Sequence, residues 1–401
     1  MRILAVTPRI IYPPLSGGES RVFSLLTRLA RSHELSLATF VEPGEEAQAA
    51  AAALRLESGP LKKVHLVART GACASRPGLP RAARRYFDEA MARALDRLSA
   101  EGNFDLVHLE FSEMGQYAPY VRTRAATVLT EHDASFLSLS RSYLRREGGA
   151  WEQLKDWIRR LRYSREIAGQ ADEIVAVSPA DARRLRWLAG CRATLVPTGV
   201  DLERFDFHGQ DRRQRDLAMF LGHYPHYPNE DAALWLCREI WPLVREKRPG
   251  ARLALVGSKP TAAVQALRGP DVEISGTLPD VRPYLHRAGL FIAPLRLGFG
   301  IKGKLLEAFA CGAPVLATPV ACEALPGIEP GRHLLVGKTA RELARLAISL
   351  LDDPALAATL AREARRYVEA RFGWDTQADA LERVYRQALA GYAARASTGS
   401  S

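Results

Sequence analysis

Short apolar runs recur along this chain. Each is followed by a turn-forming residue and then by a stretch whose apolar positions fall at helical spacing. In the first half the runs cover residues 2–6, 33–40, 64–67, 104–110, 126–131, 172–177 and 193–197. Their length and near-continuous apolar content are those of strands covered on both faces, as in a parallel sheet. Between them lie amphipathic stretches, one carrying Val22, Leu25, Leu26 and Leu29 and others over 45–56, 81–98 and 151–167. Ser178-Pro179-Ala180-Asp181 reads as a capping box with proline at the first helical position. The pattern restarts with runs at 217–222, 252–256, 272–274, 290–295 and 314–318, separated by helices over 231–244, after Asp280 and over 305–311. Beyond Val336 the spacing is helical over 339–351, 354–371 and 376–394.

Two successive strand–helix alternations predict an α/β protein of two doubly wound, Rossmann-like parallel-sheet domains facing each other across a cleft. The first spans 1–200, a polar and charged linker 201–216, and the second 217–375. Open parallel sheets place ligands beyond the carboxyl ends of their strands. Polar residues there are therefore candidates: Glu110, the Glu131-His132-Asp133 cluster, and Gly17-Gly18 where the first strand gives way to a helix.

The densest chemistry lies over 290–323. A strand ends in Leu295, and the loop Gly298-Phe299-Gly300-Ile301-Lys302-Gly303-Lys304 leads into a helix with Leu305, Leu306 and Phe309 around Glu307. Gly312 stops that helix, and a strand follows. Glycines admit a ligand close to the backbone, and a helix start aims unpaired N–H groups and partial positive charge at an anion. Lys302 and Lys304 add full charges there, while Glu307 can accept hydrogen bonds from sugar hydroxyls. A ligand with a phosphate end and a ribose end would use all of them. Gly298, Gly300 and Gly303 also match a dinucleotide fingerprint, which wants an acidic residue about twenty positions on, at the next strand end. Glu323 stands past that strand end, and two lysines suit a strongly charged diphosphate better.

The stretch 298–318, GFGIKGKLLEAFACGAPVLAT, resembles the nucleotide-sugar loop and helix of the family 4 retaining glycosyltransferases of the GT-B fold. The resemblance implies that Glu307 binds the ribose of a UDP- or GDP-type sugar, with Lys302 and Lys304 at the diphosphate and Gly300, Ile301, Leu305 and Leu306 lining that site. It implies further that Gly17 and Gly18 approach the diphosphate or acceptor, and that His132, with Asp133 beside it, touches the sugar. The Gly276-Thr277-Leu278 turn is expected at the nucleobase. The family's arginine and lysine after the Gly222 equivalent are absent, and Asn229 or His223 stands in for them. A first glutamate that holds the donor sugar in many members is here Phe299. The helix from 376 is expected to cross back to the first domain. The implied activity is retaining, metal-independent sugar transfer to a glycan, lipid-linked or small-molecule acceptor, in polysaccharide or glycolipid biosynthesis, with no cofactor. A nucleotide-sugar epimerase of the same fold and an inactive sugar-nucleotide-binding module are the alternatives.

Composition narrows the setting. Hydrophobic content of 47% and charged content of 25% are globular values over 401 residues. The five cysteines (73, 191, 237, 311, 322) are scattered without a C-x-x-C pair, so neither a disulfide framework nor structural zinc is expected. No acidic pair of D-x-D type marks a metal site. No apolar run approaches a membrane span, and the chain starts directly as a strand; a cytoplasmic protein is expected. The formal charge of +11 suits acidic substrates or anionic lipid. The basic amphipathic stretch 151–167 reads first as an ordinary helix packed on its domain, with peripheral contact at the inner membrane face as the alternative. No nucleic-acid motif accompanies the charge.

Overall fold

The computed structural model describes residues 1–14, 16–71, 78–134, 150–209, 211, 213–298 and 300–398. The chain forms two compact units, Met1–Pro197 with Asp375–Ser401, and Thr198–Trp374.

The first unit is built on β1 (Arg2–Thr7), β2 (Glu34–Val41), β3 (Lys63–Ala68), β4 (Leu106–Glu110), β5 (Ala126–Glu131), β6 (Glu173–Ala176) and β7 (Thr194–Leu195). They run in the order β3-β2-β1-β4-β5-β6-β7, parallel throughout. The order reverses between β1 and β4, which opens a crevice beyond their carboxyl ends. Successive residues Ile3, Leu4, Ala5 and Val6 are all fully buried, as a strand covered on both faces requires.

The second unit carries β8 (Gln214–Leu221), β9 (Arg252–Val256), β10 (Val272–Gly276), β11 (Ala288–Ala293), β12 (Val315–Ala317) and β13 (Leu335–Val336). Their order is β10-β9-β8-β11-β12-β13, again parallel, with the reversal between β8 and β11. Strand β13 has only two residues and was not expected from its pattern.

Three further differences have physical causes. The helix expected over 81–98 is two helices, Arg81–Arg85 and Glu89–Glu101, because Asp88 caps the second. Its carboxylate accepts from the N–H groups of Ala90, Thr70 and Gly71. The helix expected over 231–244 is Tyr227–Trp235 and Trp241–Lys247 joined by a π-turn at Leu236–Ile240; Pro242 has no N–H to continue the regular ladder. The stretch expected as a linker, 201–216, is built into the second unit: Phe205 is buried, and the buried Arg213 guanidinium donates to the carbonyls of Leu285, Ala288 and Cys311. Where the chain enters this unit it lies beside its own exit, with Val200 N–H donating to Phe372 O at 2.7 Å.

The final helix, Trp374–Thr398, joins the first unit from Asp375 onward. Leu381, Val384, Tyr385 and Ala388 are buried there, and the Tyr385 hydroxyl lies 2.7 Å from His108 Nδ1. Among the described residues Cys191, Cys237, Cys311 and Cys322 are unbridged, and no helix is long and apolar enough to cross a membrane.

Candidate functional site

In the second unit the loops after β8 and β9 cross in direct contact. Gly257 has φ +134°, and a Cβ there would fall 1.9 Å from the Gly222 carbonyl oxygen. Only glycine fits. The crossing sets the loop that leads to Asn229, a buried residue in the first turn of the helix Tyr227–Trp235. Asn229 Nδ2 donates to His223 O at 2.8 Å, and its Oδ1 accepts from Lys304 Nζ at 2.7 Å. Lys304 lies in the first turn of the helix Gly303–Ala310 that follows β11, so this bond joins the two helix starts that flank the β8/β11 reversal. The ammonium also lies 4.6 Å over the Phe220 ring.

The β11 loop needs its glycines: Gly298 and Gly300 have φ +123° and +68°. Lys302 folds back across them, its Nζ donating to Gly300 O at 2.7 Å. Lys302 is the N-cap of the helix Gly303–Ala310 and supplies no side-chain cap, so the N–H groups of Gly303 and Lys304 are left for a ligand. Among the described residues nothing lies within 4 Å of where a Cβ would stand at Gly300 or Gly303, beside this helix start. Glu307, one turn on, is partly buried, and among the described residues its carboxylate makes no hydrogen bond. Ile301 packs on the core edge. The Leu305 and Leu306 side chains are fully buried and pin the helix to the sheet, and the Leu305 N–H is given to Lys302 O. Phe299 lies outside the described residues.

Burial dominates the electrostatics here. It lowers the Lys304 ammonium to about 7, with the Lys302 charge adding and Glu307 opposing. It raises the Glu307 carboxyl, against the pull of Lys304 and Arg204. A bound diphosphate would restore charge to the lysine and a sugar hydroxyl would satisfy the glutamate. At the same sheet edge the turn at Gly276 (φ +72°) is tied to the β9 loop, with Lys259 N–H donating to Thr277 Oγ1 at 3.1 Å. Leu278 packs on the core there.

In the first unit Ser16 caps the helix Gly17–Leu29 in a reciprocal capping box with Glu19. Gly17 and Gly18 are thus the first two helical residues rather than a turn of positive φ. What Gly18 provides is room. A Cβ there would sit 3.0 Å from the Phe111 ring and 3.7 Å from His132 Nδ1. Phe111 holds φ +74°, unusual for an aromatic residue, and its ring stacks on the His132 imidazole at 3.9 Å and 13°. His132 Nε2 lies 2.7 Å from Glu110 Oε2. A carboxylate only accepts, so Nε2 carries the proton and Nδ1 is left facing Gly18.

Burial alone would raise the Glu110 carboxyl, but His108, His132 and Arg21 outweigh it and hold the group at about 2. Arg21, on the same helix as Gly18, is 1% exposed and donates to Pro197 O at 3.1 Å. Asp133 is exposed, and its N–H turns to the buried Glu131 carboxyl at 3.4 Å. Sequence reasoning missed Phe111 and Arg21. A left-handed phenylalanine gives no local sign, and Arg21 reads as an ordinary helix arginine until Glu110 is placed beside it.

Residues 15–204 match the family described as Glycosyltransferase Family 4, and residues 215–353 the one described as Glycosyl transferases group 1. A D-inositol 3-phosphate glycosyltransferase of Rhodococcus opacus (strain B4) is 25% identical over 315 residues, 73% of this chain and 69% of its own. A GDP-mannose-dependent monoacylated alpha-(1-6)-phosphatidylinositol monomannoside mannosyltransferase of Corynebacterium glutamicum is 28% identical over 247 residues, 55% of this chain and 63% of its own. The structure of Anabaena HepE in complex with UDP and glucose superposes with a TM-score of 0.67 at 15% identity, over 96% of this chain and 98% of that one.

Proposed function

The chain belongs to the group 1, family 4 glycosyltransferases, enzymes of the sugar-transferring class with the GT-B fold, and from that premise we propose the reaction it performs. It transfers a sugar from a UDP- or GDP-type nucleotide sugar to a hydroxyl of an anionic, lipid-linked or glycan acceptor, with retention and without a metal. The observation that carries this reading is the unclaimed Glu307 carboxylate one turn behind an open helix start, with Lys302 and Lys304 beside it.

The chemistry breaks the bond between the anomeric carbon and the diphosphate, so negative charge develops on the departing phosphate oxygen. Lys304, aimed by Asn229, and the first-turn N–H groups stabilise that charge from fixed positions, the most effective form of electrostatic catalysis. Glu307 anchors the ribose, and the Gly276-Thr277-Leu278 turn takes the base. On the first unit His132, oriented by Glu110, contacts the sugar, and the opening at Gly17-Gly18 leaves room for the acceptor. No side chain is assigned as a base.

The activities for which the relatives are named support an inositol phosphate or phosphoinositide-like acceptor, and the +11 charge is consistent with one. Peripheral membrane contact fits the same acceptor. Trp187 is 79% and Trp151 66% exposed, on neighbouring elements joined by Arg165 Nη2 donating to Leu188 O at 3.1 Å. Arg183 and Arg184 line the surface beside Trp187. An exposed tryptophan ringed by arginines suits an anionic lipid surface.

A thermal-shift panel of nucleoside diphosphates and nucleotide sugars identifies the donor, since a bound ligand raises apparent stability by mass action. With that donor, Glu307→Ala should weaken nucleotide binding by about 1–3 kcal/mol through its lost charged hydrogen bonds. Unchanged affinity by calorimetry overturns the site. Consumption of donor at full rate without any acceptor would point to epimerisation.

A further inference from the structure

We propose that Asp206, His208 and His286 form a binding site for a borderline divalent transition-metal ion such as Zn²⁺, separate from the residues assigned to the nucleotide. The ligand atoms of these three side chains all lie within 4.8 Å of one another. His208 Nε2 is 3.0 Å from Asp206 Oδ2, and His286 Nε2 is 3.3 Å from Asp206 Oδ1. The two imidazoles are stacked, with centroids 3.8 Å apart and planes at 17°, and His286 Nε2 also lies 3.2 Å from the Asp206 carbonyl oxygen.

In a tetrahedral site with metal–ligand bonds of about 2.0–2.1 Å, ligand atoms stand about 3.3 Å apart. The two Asp–His separations, 3.0 and 3.3 Å, are near that value but reach different oxygens of the carboxylate, so an ion would be admitted by rotation of the rings and the carboxylate about their side-chain bonds. Two imidazoles and one carboxylate are the donor set of open, three-ligand zinc sites; they favour zinc, cobalt, nickel or copper over magnesium and calcium.

The backbone that carries the ligands is fixed by other contacts. Phe205 is buried, and Phe207 covers Gly312, where a Cβ would fall 2.5 Å from its ring. His208 N–H donates to Cys311 O at 3.3 Å, and His208 O accepts from Arg213 at 3.3 Å. Residues 205 and 207 therefore anchor the strip, and 206 and 208 alternate out from it. His286 comes from the helix Arg282–Arg287. An ion would staple this helix to the strip that begins at Arg204, one of the charges acting on Glu307.

The test uses untagged full-length protein stripped with a chelator. Titration with Co²⁺ should give the visible absorption of a four-coordinate nitrogen–oxygen site, and Zn²⁺ should abolish it. Zn²⁺ affinity, measured against a chromophoric chelator, should fall about tenfold or more in H208A and in H286A, and D206N should fall likewise. Zn²⁺ should raise the melting temperature of the wild type but not of these variants. The melting-temperature rise produced by the nucleotide identified in the panel shows that each variant is folded. H208Q and H286Q serve where an alanine variant is not. Zinc affinity equal in the wild type and in H208A/H286A means an adventitious ion only and overturns the proposal, as does Mg²⁺ binding as tightly as Zn²⁺. Failure of the nucleotide site would leave the cobalt spectrum untouched, so the two readings fail separately.

Discussion

Lys304 makes nucleotide affinity depend on pH in a direction and an amount that follow from its surroundings. Burial lowers its ammonium to about 7, so the free protein carries this charge on about half of its molecules at neutral pH. A diphosphate seated against Nζ favours the charged form and raises the group toward its ordinary value of about 10.4. Above pH 7 the complex therefore holds more protons than the free protein, and affinity falls as pH rises. Only about one molecule in a hundred keeps the charge at pH 9, against one in two at pH 7. The apparent affinity should drop about fiftyfold between them, about 2.3 kcal/mol. The ligand adds little of its own, because a terminal phosphate has a last pKa of about 6 and is mostly ionised over this range. His226, lowered by burial and by Lys304, stays neutral. Titration calorimetry at pH 8, in buffers of different ionisation heat, should show about 0.9 proton taken up per nucleotide bound. Lys304→Met should bind more weakly and show neither the slope nor the uptake. Equal wild-type affinity at pH 7 and pH 9, with heats independent of buffer, would refute the reasoning.

Other consequences are as direct. Glu110→Gln leaves the buried Arg21 guanidinium without its counter-charge and should destabilise the protein by about 3–5 kcal/mol, read from denaturant unfolding; an unchanged midpoint would remove Glu110 from its role. The folded Glu110 carboxyl lies below its ordinary 4.5, so its contribution is complete above that pH and is lost as pH falls toward about 2. The glutamine variant should lack that loss. Gly257→Ala forces a Cβ against the Gly222 carbonyl and a side chain into a strained φ; it should cost about 3 kcal/mol or more, with an unaltered thermal midpoint counting against the close crossing. Trp187→Ala should reduce co-sedimentation with anionic vesicles severalfold while leaving nucleotide affinity as it was; undiminished sedimentation excludes that surface.

The strands of both sheets and the glycine loop at 298–304 were legible because each is local. Buried parallel strands are apolar end to end, and a glycine loop before a helix carries its chemistry within a few residues. Illegible features depend on partners far along the chain. Asp88 breaks a helix because Thr70 and Gly71 bring N–H groups to it. The strip 201–213 reads as polar and charged, yet Arg213 finds three carbonyls from residues 285–311 and is buried by them. Two-residue β13 has too little pattern to register. At the site, Lys302, Lys304 and Glu307 were read from the loop and the helix that follows it, whereas the aiming of Lys304 by Asn229 needed the fold. The burial of the Leu305 and Leu306 side chains also needed the fold, since spacing alone does not say which helix residues turn inward.

The stacking of Phe111 on His132, with Gly18 beneath, ties the history of these positions together. A methyl group at 18 would displace the aromatic plane, and a displaced plane would no longer set the tilt of the imidazole. Drift at either position alone is thus penalised. Among descendants of a common ancestor, a bulkier residue at 18 should appear only alongside a smaller one at 111, so the two behave as one inherited character although 93 positions separate them.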